Sequence, residues 1–434
     1  MKDYSIEMQE YLERLLPICR SITGDGNRET LEILREIIPL KVKEYPTSKK
    51  VYDWEIPQEW NIKEAWVKDS QGNKIIDFKN SNLHIVGYSV PISKNLKFKE
   101  LKKHLHYKEC LPDAIPYRTS YYQKDWGFCL SYNDFQKYFN DEYDEYEVYI
   151  NSSFKDGSLS IGELLVPGFS KKEFLISSYI CHPSMANDSL SGVIVAAFLA
   201  RELLKMKPYY SYRIVWVPET IGAIAYAFHN EQKMKSIDAG FVITTCGGDD
   251  IFSYKQSRDQ NHYINQFVEN AFKNSGLGFK TYPFDIRGSD ERQYSSLGFK
   301  INMTSIFRGK YYEYDYYHTS LDNLKYVTGK NLQSSLSLYL ETIIILEKQI
   351  FYSSHEFHCE TMLSKHGAYP VFGGEQVFSD SGRSYSETDL ILWLLFYCDG
   401  NLPLSKIAKD INVDFDKLLQ VAEKLVNKSI LNRL

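Results

Sequence analysis

From about residue 159 onward, apolar strands and helix-patterned stretches take turns along the chain, and this alternation narrows the architecture more than any other feature. "KEFLISSYI" reads as a buried strand and "SLSGVIVAAFLARELLKM" as the helix after it. "SYRIVWV" is a strand, "IGAIAYAFHN" a helix and "AGFVITT" a strand. "HYINQFVENAFKNSG" is a helix stopped by Gly276, and "NLQSSLSLYLETIIILEKQI" is a long final one. Near-continuous apolar strands separated by helices imply a mainly parallel sheet covered on both faces. Ligands of such sheets lie beyond the carboxyl ends of the strands. The residues just after each strand are therefore where chemistry is expected.

The rest of the chain does not follow this rhythm. Residues 5–40 predict two helices around the Gly-punctuated turn "SITGDGN". From about 50 to 150, "AWVKDSQGNKIIDF" predicts a hairpin, "NLHIVGYSVPI" and "EYEVYINSSF" predict strands, and "LKFKELKKHLHY" a short helix. After residue 353 a polar stretch, "SSHEFHCETMLSKHGAYPVFGG", leads into three amphipathic helices with winged helix-turn-helix spacing. The expected domains are 1–50 with 151–352, an inserted mostly β domain at 51–150, and a linker with a winged-helix-like domain at 353–434.

A content of 43% hydrophobic and 25% charged residues in 434 fits a globular protein with a large core. The net charge of −5 offers no general basic field for nucleic acid. Between Leu404 and Leu434 six basic side chains face four acidic ones, too little clustering for phosphate contacts and better suited to a protein partner or homo-oligomer. Seven scattered cysteines without a CxxC pair suggest reduced thiols. No apolar run nears the roughly 18 residues of a membrane span, and no signal-peptide core opens the chain. A cytoplasmic location without a membrane partner is the expectation.

Applied strand by strand, the post-strand rule collects His182 and Asp188, then Glu219, then Thr244 and Thr245 with Asp249 and Asp250 further on, then Asp290 and Glu291, and finally His318. Each has an ordinary reading. Asp188 or Ser189 could cap a helix, His182 could be a buried hydrogen-bonded imidazole, and Glu219 could favour a helix dipole. Asp290 and Glu291 are either contacts for a substrate amine or a loop cap. The aromatic run Tyr311–Tyr317, with Tyr317 beside His318, either walls a pocket or packs. "HEFHC" (His355, His358, Cys359) has ligand types but no partner cluster, which weighs against a structural metal there. Cys181 is a nucleophile candidate that also suits the end of a buried strand.

"HPSMANDSLSG", "PETIGA", "GSDERQY" and "YYHTSLDNL", in this order, resemble the zinc aminopeptidases, a family that includes bacterial leucyl aminopeptidase and glutaminyl cyclase. "ICRSITGDGNRETLEIL" resembles the same family's opening helices. The whole arrangement is similar to an uncharacterised bacterial group with an aminopeptidase-like domain, an inserted domain of unknown function and a C-terminal winged helix. The resemblance implies a three-layer α/β fold, with His182, Asp188 and His318 as metal ligands and Glu219 as general base. It also implies losses. Thr220 stands where the family has a second acid, Thr244 or Thr245 replaces a post-strand Asp, and Ser184 replaces the Asp that orients the first imidazole.

Two imidazoles and one carboxylate match a catalytic zinc with three protein ligands, and the lost acids favour one ion over two. The leading expectation is a zinc hydrolase cleaving an amide bond of a small-molecule or peptide substrate. A second is a zinc deacylase or cyclase acting on a non-peptide amide. A third is a degenerate core that binds or regulates without catalysis.

Overall fold

The computed structural model describes residues 2–139, 145–369 and 385–434. The chain divides into two units, Met1–Gly168 with Glu173–Glu341, and Phe169–Lys172 with Thr342–Leu434.

An eight-stranded mixed sheet organises the first unit. Its strands are β1 (Lys41–Pro46), β2 (Ser158–Val166), β3 (Glu173–Tyr179), β4 (Ser211–Val217), β5 (Ala239–Val242), β6 (Phe252–Lys255), β7 (Phe279–Tyr282) and β8 (Asn302–Arg308), in the spatial order β1-β2-β4-β3-β5-β8-β6-β7. The central pairs β4/β3, β3/β5 and β5/β8 are parallel, as is β6/β7, whereas β1/β2, β2/β4 and β8/β6 are antiparallel. All seven residues of β3 are buried, which explains why the sequence there is apolar without alternation.

Helices α1 (Ser5–Leu15), α2 (Asp25–Arg35), α3 (Gly192–Met206), α4 (Ile221–His229), α5 (Tyr263–Ser275) and α6 (Gly329–Glu347) accompany the sheet. Gly276 ends α5 in the left-handed region, φ 64°, as the helix-stop reading requires. α3 approaches β5 closely: a Cβ on Gly192 would meet the Ile243 carbonyl oxygen at 2.1 Å, so only glycine fits.

A second, antiparallel sheet in the same unit has the order Lys74–Asp77, Glu59–Lys68, Glu145–Lys155, Ile92–Lys97. The strand expected from "NLHIVGYSVPI" does not form over Asn82–Val90. Ser81 Oγ accepts from Leu83 N (3.2 Å) to start a single tight turn, Asn82–His84, and Tyr88 sits at φ 68°. Leu83, Ile85, Val86 and Tyr88 are nevertheless buried. Loop packing rather than a ladder produced the apolar pattern there.

In the second unit, helices Glu387–Tyr397, Leu404–Asp410 and Phe415–Asn427 enclose a small core of Leu390, Leu394, Leu404, Leu418 and Leu425. Leu431–Arg433 pairs antiparallel with Phe351–Ser354, completing a three-stranded sheet with Asp399–Pro403. Part of the expected linker, 370–384, lies outside the described residues. Among the described residues no helix is long and apolar enough to cross a membrane.

Candidate metal centre

β3, β4, β5 and β8 run parallel, so their carboxyl ends share one edge of the sheet. His182 follows β3, Glu219 follows β4, Thr244 and Thr245 follow β5, and His318 lies in the loop between β8 and α6. Ligand atoms of His182, Asp188 and His318 lie within 4.8 Å of one another, and those of Cys181, His182 and Glu219 form an overlapping group.

Asp188 reaches this point because the chain does not enter α3 directly. Ala186–Ser191 forms a wide irregular turn in which Asp188 has φ −107° and ψ 89°, outside helical values. Asp322 supports that turn, its Oδ1 accepting from Asn187 N (2.6 Å) and its Oδ2 from Asp188 N (2.9 Å). The Tyr314 hydroxyl also donates to Asp322 Oδ2 (2.8 Å). The Asn187 side chain stitches loops together. Its Oδ1 accepts from Gly247 N (2.8 Å) and Gly248 N (3.1 Å), and its Nδ2 donates to the Arg308 carbonyl (3.0 Å). The Asn-Asp pair thus divides its work: Asn187 fixes the scaffold and Asp188 faces the centre.

The two oxygens of Asp188 have different surroundings. Oδ1 accepts from the Tyr179 hydroxyl (2.6 Å), which in turn accepts from Thr244 Oγ1 (2.6 Å). Oδ2 lies 3.1 Å from His318 Nε2, an ion-pair distance, and has no other side-chain partner among the described residues. Burial acts to raise the Asp188 pKa, but the two imidazoles and the Tyr179 hydroxyl outweigh it and hold the carboxyl at about 2. Burial lowers His182 to about 4 against the pull of Asp188. An ionised carboxylate and a neutral imidazole are the protonation states that zinc ligands require. With His318 they form a nitrogen, nitrogen and oxygen donor set that fits a catalytic zinc.

Glu219 Oε2 lies 3.7 Å from His182 Nε2, and Glu219 Oε1 accepts from Ser289 Oγ (2.8 Å). Burial, then the charge of Asp188, push the Glu219 carboxyl up to about 7. Thr220, at φ 64°, turns the chain into α4, and its N–H donates to Asp290 Oδ1 (2.7 Å). Burial, then Glu219, raise Asp290 well above the usual carboxylate range.

The other sequence candidates are placed differently. Glu291 is 1% exposed, and its oxygens are taken by Lys255 Nζ (2.9 Å), the Tyr311 hydroxyl and Ser289 N (3.0 Å). It therefore ties down the loop that carries Ser289 and Asp290. Tyr317 stacks on His318 with ring centroids 3.9 Å apart. Asp249 and Asp250 line a separate cleft with Tyr316 and Tyr326. His358 is exposed and pairs with Glu356 (3.3 Å), and no ligand group among the described residues includes it.

Some participants were not legible in the sequence. Ser184 does not orient His182, because its hydroxyl donates to the Leu16 carbonyl (3.1 Å). Cys181 Sγ lies 3.4 Å from His182 Nδ1 and accepts from Glu219 N (3.2 Å). Arg20, buried in the "ICRSITG" turn, donates from Nε to the His182 carbonyl (2.9 Å). Tyr117, which belongs to residues 51–150, packs against both His182 (5.2 Å) and His318 (5.0 Å). Asp322 had a visible signal, its place inside "YYHTSLDNL"; Tyr117 had none.

Residues 9–349 match the family described as a domain of unknown function, DUF4910, and residues 351–433 match a winged helix-turn-helix family. A Clostridium acetobutylicum protein provisionally named polysaccharide biosynthesis protein with aminopeptidase-like domain is 41% identical over 426 residues, covering 98% of this chain and 96% of its own. A crystal structure from the same organism, provisionally named a peptidase, is similar with TM-score 0.78 and 40% identity, covering 99% of this chain and 96% of the other. A zinc aminopeptidase of Bacillus subtilis is similar with TM-score 0.59 and 12% identity, covering 80% of this chain and 95% of its own, a likeness of fold. The architecture is thus aminopeptidase-like, with a C-terminal winged helix.

Proposed function

The chain belongs to the DUF4910 family, and on that premise we propose that it is a zinc-dependent hydrolase that cleaves an amide bond. The observation that carries this reading is the convergence of the ligand atoms of His182, Asp188 and His318 within 4.8 Å of one another, with Asp188 Oδ2 3.1 Å from His318 Nε2. In this reading His182, Asp188 and His318 hold one zinc ion. Zinc there supplies Lewis acidity toward a carbonyl and makes a water more acidic. Glu219 is the general base, with Ser289 holding Oε1 and leaving Oε2 turned toward the centre. It takes a proton from the attacking water and returns it to the leaving amine, the ordinary work of a positioned carboxylate. A pKa lifted toward neutrality suits both halves of that task.

The neighbourhood of Asp188 supports the reading of one ion rather than two. Its second oxygen already accepts from Tyr179, and Thr220 and Thr244 bring no carboxylate. Tyr117, Tyr312 and Tyr317 are proposed to wall the substrate site.

A second reading, hydrolysis of an amide in a non-peptide compound, is favoured by one observation. Glu291 is buried with both oxygens bonded, to Lys255, Tyr311 and Ser289, so it is not free to receive a substrate ammonium group, and Asp290 is fully buried with Oδ1 held by Thr220 N. The provisional name of the Clostridium relative points the same way. The winged-helix domain is proposed as a surface for a protein partner or a second copy, and the cytoplasm as the location.

Zinc-loaded protein assayed on aminoacyl amides and on N-acylated amino sugars tests the reading. Turnover of either class that is lost in His182→Ala supports an amide hydrolase and selects the substrate class. No turnover of any amide, with zinc bound, would contradict it.

A further inference from the structure

Residues 82–121, outside the strand-helix alternation of the main sheet, touch both loops that carry the imidazoles. Ile115–Tyr117 runs antiparallel to His318–Ser320. Tyr117 N donates to the His318 carbonyl (2.8 Å), Ser320 N donates to the Ile115 carbonyl (2.9 Å), and Ile115 N donates to Ser320 Oγ (2.9 Å), around a bridge of Pro116 with Thr319. On the other loop, Asn82 Nδ2 donates to Ser184 Oγ (3.0 Å) and to the Pro17 carbonyl (2.7 Å). Leu83, Tyr117 and Met185 form a small buried cluster, with Ile115 against it.

His318 has φ 55° and Ser184 has φ 47°. Side-chain-bearing residues avoid this left-handed region. They persist there when the surroundings over-determine the conformation. At both positions the surroundings include the same inserted segment.

We infer that this segment is a working part of the zinc site: its Asn82 and Tyr117, together with Ser320 of the His318 loop to which Ile115 is bonded, are positioning residues that hold His182 and His318 onto Asp188. The inference rests on the zinc reading above and adds a role for residues 82–121. Groups that orient metal ligands typically contribute 10- to 100-fold in affinity. A segment that only covered the core would change the stability of the whole unit and leave zinc affinity alone.

The experiment uses the full chain. Zinc affinity is measured by competition with a chelating dye for wild type, Asn82→Ala, Ser320→Ala, Ser320→Thr and His182→Ala, beside the thermal melting of each metal-free protein. The inference expects about tenfold weaker zinc binding in Asn82→Ala and in Ser320→Ala. It expects unchanged metal-free melting and recovery in Ser320→Thr, which keeps the hydroxyl. Cobalt bound in place of zinc should show an altered visible spectrum in the two alanine variants. Wild-type affinity and spectrum in both alanine variants overturn the inference, as does an affinity loss that merely follows a lowered metal-free melting temperature. If His182→Ala binds zinc as well as wild type does, the zinc reading itself has failed, a separate result from failure of the clamp.

Discussion

The Tyr179 hydroxyl donates to Asp188 Oδ1 at 2.6 Å, on the side of the carboxylate away from His318. In a site built for two ions that oxygen would be shared. Here it is closed by a phenol, which is itself held by Thr244. Tyr179→Phe leaves a buried carboxylate oxygen and the Thr244 hydroxyl without this link. A lost partner of a buried group costs about 1–3 kcal/mol. The metal-free variant should unfold more easily by about that amount and still bind at most one zinc, as checked by urea unfolding and metal analysis. Two ions per chain in the variant would contradict this account of Asp188.

Cys181 takes the position that the missing Asp at Ser184 leaves open. With His182 Nε2 turned toward Glu219, the ring proton belongs on Nδ1, where Sγ lies 3.4 Å away. Cys181→Ala should weaken zinc binding about tenfold, as expected for loss of a group that fixes a ligand tautomer. Cys181→Ser should retain most of the affinity. Equal affinities across the three proteins would remove this role.

Glu219→Gln should keep the metal if, as proposed, His182, Asp188 and His318 hold it, and should lower turnover by roughly 10²- to 10⁴-fold, the range for a general base. Zinc titration and the rate on the preferred amide check both halves. Retained turnover would contradict the assigned role.

Lys255 and Glu291 form an ion pair (2.9 Å) with both side chains at most 2% exposed. Lys255 Nζ also donates to the Asp285 (2.9 Å) and Arg287 (3.1 Å) carbonyls, fixing the loop that presents Ser289 to Glu219. Lys255→Ala strands a buried carboxylate and should cost about 3–5 kcal/mol in unfolding experiments. A variant as stable as wild type would contradict the importance of the pair.

His84 contributes to the pH dependence of stability, beside His182, which burial also lowers. Burial holds His84 below its ordinary value of 6.5, although its Nδ1 lies 2.8 Å from the Cys129 carbonyl oxygen. Below about pH 6.5 the unfolded chain takes up a proton that the folded chain refuses. The stabilisation is complete above that pH and is lost as the pH falls toward the folded value. His84→Gln should make the decline in metal-free stability below about pH 6.5 less steep, read from urea unfolding. An unchanged slope would rule out a contribution from His84.

The sequence revealed the main sheet because β3 and β4 are buried on both faces and so lack the apolar–polar alternation of a half-exposed strand. His182, Glu219 and the Asn187–Asp188 pair were visible for a related reason, each standing directly after a strand or at a helix entry. Long-range geometry was hidden. Asp290 and Glu291 look like available acids until Lys255, far along the chain, is seen to neutralise one of them. Tyr117 carries no motif, and only the pairing of Pro116 with Thr319 brings it to the imidazoles. "NLHIVGYSVPI" misled because apolar residues in a packed loop can copy the alternation of a strand.

Anomalous diffraction recorded across the zinc absorption edge, from crystals of wild-type protein grown with zinc, tests the central claim most directly. The account predicts one peak per chain, bounded by Asp188 Oδ2 and by ring nitrogens of His182 and His318. No peak among these three side chains, or a second peak on the Tyr179 side of Asp188, would contradict it.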